Sequence, residues 1–491
     1  MNPIKKLVSQ TAVYGLSHIA GRLLTFLFLP LYTGIFSPEE YGILSLLLVA
    51  VAFMNIAFTY GMETAFFRFI SKEDGLSKTY PTGMISIFFT TIFFGLLLYL
   101  NNNSIATYFE LPHRLDIIHW LIAIIILDTL CVIPLAYLRY HNKVFHYAGL
   151  KLLNVAVIIL FNLIFLLPMI PDLGLESYLH YLPFTYDKSI GIGYIILANL
   201  IASSVVFLLL IPTILKTKWV FDVKIWKKMI RFGAPLIVVG LAGMINELID
   251  RILLKEVLPG DNLYINTQIG IYSACYKLAM IIALVNTAFR QAAEPFFFSQ
   301  EKEKNAQKTY ADIMKYYTIC CLFVFLIIAL FIQPIANLMI NSKYHEGLSI
   351  VPILLLANIL LGIYYNLSVW YKLTQKTLYG MYISILGALT TIALNLMLIP
   401  EYGYKACAAA TLICYMIMVL ISYFAGKKHY PVPYNIKRIL LYSFIAVSLF
   451  FICDNISIEG SLDLIIRLIC IGLFLISVLF IERPNKFLNS A

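Results

Sequence analysis

LSLLLVAVAFMNIAFTY, residues 44–60, carries no charged side chain; together with IMKYYTICCLFVFLIIALFI, residues 313–332, it decides the fold class. A helix needs roughly 20 predominantly apolar residues to cross the hydrocarbon core of a bilayer, and a soluble domain has no use for such runs. Comparable runs recur along the chain and predict spans near 10–35, 41–70, 81–100, 116–138, 148–171, 191–215, 233–258, 269–298, 313–335, 349–371, 381–400, 406–426, 438–454 and 462–482. The expected fold is an all-α polytopic membrane protein with about fourteen transmembrane helices. Composition agrees: of 491 residues, 61% are hydrophobic and 13% charged, and the mean hydropathy is +0.86.

A formal net charge of +10 would suggest nucleic acid in a soluble protein. Here the basic residues sit in short segments between apolar runs and read as topology signals, with no nucleic-acid partner implied. Segments such as Lys216–Arg231, Lys302–Lys308 and Lys427–Arg438 are rich in Lys and Arg, whereas the opposite side holds only Arg114, Lys188, Lys343 and Lys405. That asymmetry predicts both termini in the cytoplasm. The start, with Lys5 and Lys6 ahead of a full-length run and no small-residue cleavage site, reads as a retained first helix. The eight cysteines all fall in apolar runs without CxxC spacing or a histidine cluster. They are expected to be small buried hydrophobes, with no disulfide framework and no metal site.

The longest external segment, Asp172–Ile190, is rich in Tyr and Leu and is expected along the outer interface. The longest internal one contains WVFDVKIWKKMIRF, residues 219–232, with apolar residues at helical spacing opposite a basic face, which predicts an amphipathic linker on the inner leaflet. An ungapped shift of 228 residues puts Gly42 and Ser45 of YGILS on Gly270 and Ser273 of IGIYS, and FISKE (69–73) on FFSQE (297–301). A repeat of six spans keeps its orientation, so two six-helix lobes would be related by a pseudo-two-fold axis along the membrane normal. The expected organisation is an N-terminal lobe at 1–215, the linker at 216–232, a C-terminal lobe at 233–426, and two added spans with a cytoplasmic tail at 427–491.

Charges inside the spans are the functional candidates, because a charge at mid-bilayer costs about 2.5–3.5 kcal/mol on insertion scales and must face protein or a wet cavity. INELIDRILLKEVLP, residues 245–259, holds Glu247, Asp250, Arg251 and Lys255 on one side of a helix. These four either line a central cavity or pair among themselves, Glu247 with Arg251 at i,i+4 and Lys255 snorkelling outward. The next span carries Lys277, Arg290 and Glu294, the last two again spaced to neutralise one another. In the first lobe, Arg22 lies within SHIAGRLLTF with no acidic residue close in sequence, so its partner must be a distant carboxylate or an anionic ligand. Glu63 and Arg68 end the second span, with Arg68 in reach of headgroups, and Asp128 could pair with Arg22 or serve a coupling ion.

The intramembrane asparagines Asn55, Asn154, Asn162, Asn199, Asn246, Asn286 and Asn395 read as interhelical glue, each contributing on the order of 1 kcal/mol. Pro30, Pro134, Pro212, Pro235 and Pro295 interrupt apolar helices. The chain holds no Walker loop, HExxH or GxSxG motif, so ATP hydrolysis and hydrolytic catalysis have no sequence support, and no cofactor is implied.

TAVYGLSHIAGRLLTFLFLPLYTGIFSPEEYGILSLL (11–47), IDRILLKEVLP (249–259) and IGIYSACYKLAMIIALVNTAFRQAAEPF (269–296) resemble the bacterial Wzx-like polysaccharide-biosynthesis flippases of the multidrug/oligosaccharidyl-lipid/polysaccharide exporter superfamily. The resemblance runs from about residue 8 to 425 of the chain. It implies alternating-access movement of an undecaprenyl-diphosphate-linked sugar from the inner to the outer leaflet of the bacterial inner membrane, for O-antigen, capsule or exopolysaccharide. It places Arg22, Arg251, Lys277 and Arg290 in a cationic cavity for the diphosphate; beside them, the intramembrane charges themselves make Lys255 and Arg68 further substrate-binding candidates and Glu63, Asp128, Glu247, Asp250 and Glu294 candidate cavity acids or ion-coupling groups. Membrane lipids and a polysaccharide polymerase are the further partners it leaves open. A lipid II flippase and a proton- or sodium-coupled multidrug exporter of the same superfamily are the alternatives; the exporter would favour an acidic cavity. A membrane sugar polymerase or ligase would need an acid–base pair in a large external loop, and 172–190 has no obvious one.

Overall fold

A computed structural model describes Leu23 and residues 26–70, 75–141, 143–170, 186–215, 219–301, 303–455 and 461–482. These residues are all-helical, and thirteen helices among them are long and apolar enough to cross a membrane. They coincide one for one with the second to fourteenth expected spans, so the protein is a multi-pass membrane protein. Of the first expected span only the end, α1 (Leu29–Ile35), is described as a regular helix. Arg22, most of the 172–190 segment and the amino terminus lie outside the described residues.

The chain divides into two compact units, Met1–Ser273 with Ala388–Cys407, and Ala274–Gly387 with Ala408–Ala491. In the first, α2 (Pro38–Thr59) starts on a capping box: Ser37 Oγ accepts from the Glu40 backbone N–H and Glu40 Oε2 accepts from that of Ser37, with Pro38 at the first helical position. Tyr60 and Gly61, both at positive φ, break the rod before α3 (Met62–Ile70) resumes it. Then follow α4 (Gly75–Leu100), the short α5 (Asn102–Tyr108), α6 (Leu115–Tyr140), α7 (Val144–Leu166) and α8 (Gly193–Leu215). A buried core of Met62, Phe66, Ile70, Tyr80, Met84, Ile87, Ile133 and Met229 ties α3, α4 and α6 to α9 (Val223–Val257).

Asp222 caps α9, its Oδ1 accepting from the backbone N–H groups of Lys224 and Ile225 at 2.8 and 3.1 Å. The helix then runs unbroken for 35 residues, so residues 223–232 of the basic amphipathic segment are the first turns of the seventh span's own helix. Trp226 is anchored there, its Nε1 donating to Ser86 Oγ at 2.8 Å. The next helix, α10 (Asn262–Gln300), has 39 residues, about 58 Å of axis against roughly 30 Å of hydrocarbon. Its length carries it well beyond the bilayer core.

Where α2 and α10 cross within the first unit, the contact obeys the repeat. A Cβ on Gly42 would collide with the Asn266 carbonyl, and a Cβ on Gly270 with the Pro38 carbonyl. Pro38 and Asn266 are themselves related by the 228-residue shift, as are Gly42 and Gly270. Ser45 and Ser273, the third such pair, share a hydrogen bond of 2.8 Å between their Oγ atoms. Equivalent residues therefore meet one another, the reciprocal pattern of a two-fold contact.

In the second unit α11 (Ala306–Leu330) packs against α13 (Val351–Leu367), α17 (Ile436–Asp454) and α18 (Ser461–Glu482); α12 (Ile332–Met339) and α14 (Val369–Leu373) are short, and α15 (Leu378–Tyr402) and α16 (Tyr404–His429) contribute to both units. Glu482 ties the final spans to α11: Lys315 Nζ lies 2.8 Å from its Oε2, and Arg438 Nη1 and the Tyr442 hydroxyl donate to Oε1 at 3.0 and 2.6 Å. All eight cysteines are free, and all are buried except Cys320, whose side chain is exposed on α11.

Candidate functional site

Two polar groupings lie within the first unit. The first is a buried network on α9. Asp250, 1% exposed, accepts from the Tyr272 hydroxyl at 2.5 Å and from Asn395 Nδ2 at 3.0 Å, while Thr391 Oγ1 donates to Asn246 Oδ1 at 3.4 Å. Arg251, 4% exposed, donates to the Glu247 backbone carbonyl at 3.0 Å and lies over the Tyr272 ring. Taking these charges out of water would cost several kcal/mol each, so the donors around Asp250 are what make its burial tolerable. A turn further on, Lys255 Nζ meets Glu110 Oε1 at 2.6 Å, and Asn266 Nδ2 donates to the other Glu110 oxygen at 2.8 Å. Glu110, at positive φ in the α5–α6 connection, is a partner that no spacing rule along α9 could have named.

The second grouping is a cavity of about 550 Å³ bounded by α2, α3, α6, α7, α8 and α9. Glu63, Asp128, Lys151, Asn55, Asn154, Asn199, Ser203, Thr59 and Tyr147 supply its polar lining, and Leu48, Val51, Ile124, Val132 and Leu150 part of the apolar remainder. Asp128 Oδ1 accepts from Ser203 Oγ at 2.7 Å, and Glu63 is paired with Arg139 Nη1 at 2.7 Å. The volume falls within the ~300–1,000 Å³ of small-molecule sites.

The candidate residues are thus distributed. Glu63 and Asp128 line the cavity; Glu247, Asp250 and Arg251 belong to the α9 network; Lys255 is held by Glu110. Arg68 is exposed and lies 4.7 Å over the Phe232 ring. In the second unit Lys277 is partly buried on α10, Arg290 is exposed with its guanidinium 5.1 Å over the Tyr365 ring, and Glu294 lies on the same helix. Sequence reasoning missed Lys151, Tyr147 and Ser203. Lys151 precedes Asn154 by three residues, one helical face, and that spacing in an apolar run was the available signal. The asparagines split: Asn162 accepts from Tyr32, Asn286 donates to the Asn358 carbonyl and Asn395 binds Asp250, as interhelical glue does, whereas Asn55, Asn154 and Asn199 face the cavity. Among the described residues no cluster of His, Cys, Asp and Glu is arranged to hold a metal ion.

The profile of the polysaccharide biosynthesis protein family matches residues 7–301, and that of the MatE family matches residues 262–397. No curated protein sequence matches the chain. Among solved structures, the fold is similar to that of the lipid II flippase MurJ in an inward closed conformation, with a TM-score of 0.73 and 19% identity, covering 97% of this chain and 99% of that one. It is also similar to a multidrug resistance MATE family transporter of the MOP superfamily in an inward-facing conformation, with a TM-score of 0.65 and 14% identity over 84% of this chain and 93% of that one. An outward-facing structure of such a transporter gives a TM-score of 0.58 at 14% identity, over 87% and 98% of the respective chains.

Proposed function

Because the chain belongs to the polysaccharide biosynthesis protein family and is a multi-pass transporter of the MOP superfamily rather than an enzyme, we propose that it is a flippase for an undecaprenyl-diphosphate-linked oligosaccharide. In this reading it sits in the bacterial inner membrane with both termini cytoplasmic and moves its cargo from the inner to the outer leaflet for surface polysaccharide synthesis. The family match over residues 7–301 carries the proposal.

The mechanism we propose is alternating access of two six-helix lobes, 1–215 and 233–426. The reciprocal Gly42–Gly270 crossing and Ser45–Ser273 bond support a two-fold relation between the repeats. Arg22, Arg68, Arg251, Lys255, Lys277 and Arg290 lower the cost of carrying the diphosphate, through several moderate contacts rather than one tight site. Lys255 and Arg251 are engaged by Glu110 and by the α9 network. Their contact with cargo would follow the opening of those interactions, which couples binding to the conformational cycle. Outward movement leaves a negative interior and gains about 2.3 kcal/mol per charge per 100 mV. The fold likeness to a lipid II flippase favours a lipid II-type cargo as the second reading.

The test is translocation in sealed proteoliposomes, following a fluorescent undecaprenyl-diphosphate sugar from one leaflet to the other. Wild-type movement that is lost in Arg22→Ala or Arg251→Ala is the expected result. Expulsion of a lipophilic cation under a proton or sodium gradient, with no lipid movement, would replace this reading by a drug exporter, and preference for lipid II would select the second reading.

A further inference from the structure

We infer that the cavity of the first unit is the sugar site of this transporter, and that it selects an uncharged ring bearing hydroxyl and amide groups. The inference rests on the flippase reading and adds the chemistry of the head group.

The cavity's charges decide against the diphosphate. Glu63 is neutralised by Arg139 at 2.7 Å, leaving the Asp128 carboxylate and the Lys151 ammonium as opposed charges on its wall. A dianion in a partly desolvated space needs surplus positive charge, and among the described residues of this lining there is none. The cavity offers instead both kinds of hydrogen-bonding group in one small volume. Among the described residues Ser203 is the sole hydrogen-bond donor to Asp128, which leaves its second oxygen as an acceptor. Asn55 lies on the same wall, and among the described residues its buried Oδ1 has no hydrogen-bond partner. Asn154 brings an amide with two donors and an acceptor, and Lys151, exposed at the wall, brings donors only.

A sugar hydroxyl both donates and accepts, so a ring carrying several of them satisfies such a mixed lining, whereas an apolar ligand would leave the second Asp128 oxygen and the Asn154 amide unmatched. Sites built this way reject analogues that lack the matching polar group. Tyr147 adds an aromatic ring to the same wall, where the C–H face of a sugar can rest. Leu48, Val51 and Leu150 keep the rest of the lining apolar and limit competing water.

The experiment compares two probes in the proteoliposome assay, undecaprenyl diphosphate carrying one N-acetylglucosamine and undecaprenyl diphosphate with no sugar. Wild type is expected to move the glycosylated lipid faster, and Asp128→Asn, Asn154→Leu and Lys151→Met each to lower the ratio of the two rates by up to about tenfold, the loss or weakening of one hydrogen bond. Lys151 is exposed, so Lys151→Met keeps the test decisive should the others fail to fold. Equal wild-type rates for the two lipids, or variants that slow both alike, overturn the sugar site while leaving the flippase standing. Movement of neither lipid overturns the flippase reading, and this inference with it.

Discussion

Tyr272 donates to Asp250 at 2.5 Å inside a site where the carboxylate is 1% exposed. Removing that hydroxyl leaves a buried acceptor short of a partner. Tyr272→Phe is therefore expected to lower stability by about 1.5–3 kcal/mol, read as a lower unfolding midpoint in detergent; an unchanged midpoint would mean that Asp250 is satisfied without the Tyr272 hydroxyl. Glu482 offers the converse case. It accepts from Lys315, Arg438 and Tyr442 at once, so Glu482→Gln should destabilise the protein far more than Arg467→Gln. Among the described residues Arg467 is bonded only along its own helix, to Asp463, a pair expected to be worth about 0.3–0.5 kcal/mol. At this scale the sequence was legible as chemistry but not as partnership. That charged residues in apolar runs must face protein followed from dielectric cost alone. That Asp250 would meet Tyr272 and Asn395, or that Lys255 would meet Glu110, depends on contacts 22 to 145 residues apart in the chain.

Glycine sets how closely α2 can approach its neighbours. At Gly42 and Gly270 the obstacles to a Cβ are backbone carbonyls, which cannot swing aside. Gly42→Ala and Gly270→Ala should each cost about 1–3 kcal/mol, and by the reciprocity of the contact the two losses should be similar; thermal unfolding of both variants checks this. Gly61 is different in kind. Its φ of 70° already favours glycine, and a Cβ would also lie 2.7 Å from the Gly233 carbonyl. The elements themselves were readable, because hydropathy over some 20 residues is a local property. The continuity of α9 through residues 223–257 was not: amphipathic and apolar patterns change at Phe232, and Pro235 removes one helical hydrogen bond, to the Arg231 carbonyl, yet the helix runs on.

Across the whole molecule, the repeat and the proposed cycle make a joint prediction. If α2 and α10 part during alternating access, a Ser45→Cys/Ser273→Cys variant should cross-link under oxidation, stop translocation and recover on reduction; transport that continues in the cross-linked protein would show that this crossing stays closed. The proposed diphosphate cargo would also make the rate sensitive to voltage, so an interior-negative potential imposed on proteoliposomes should accelerate outward movement and its reversal should slow it. The sequence by itself determined the membrane-spanning class, the helices and the family, because each rests on local hydropathy and on residue order. Only the tertiary structure decided which polar residues became interhelical glue and which became cavity wall. Asn162 and Asn154 read alike in the chain, both being amides in apolar runs. The neighbour each side chain finds, Tyr32 for one and open volume for the other, is set by how distant helices pack.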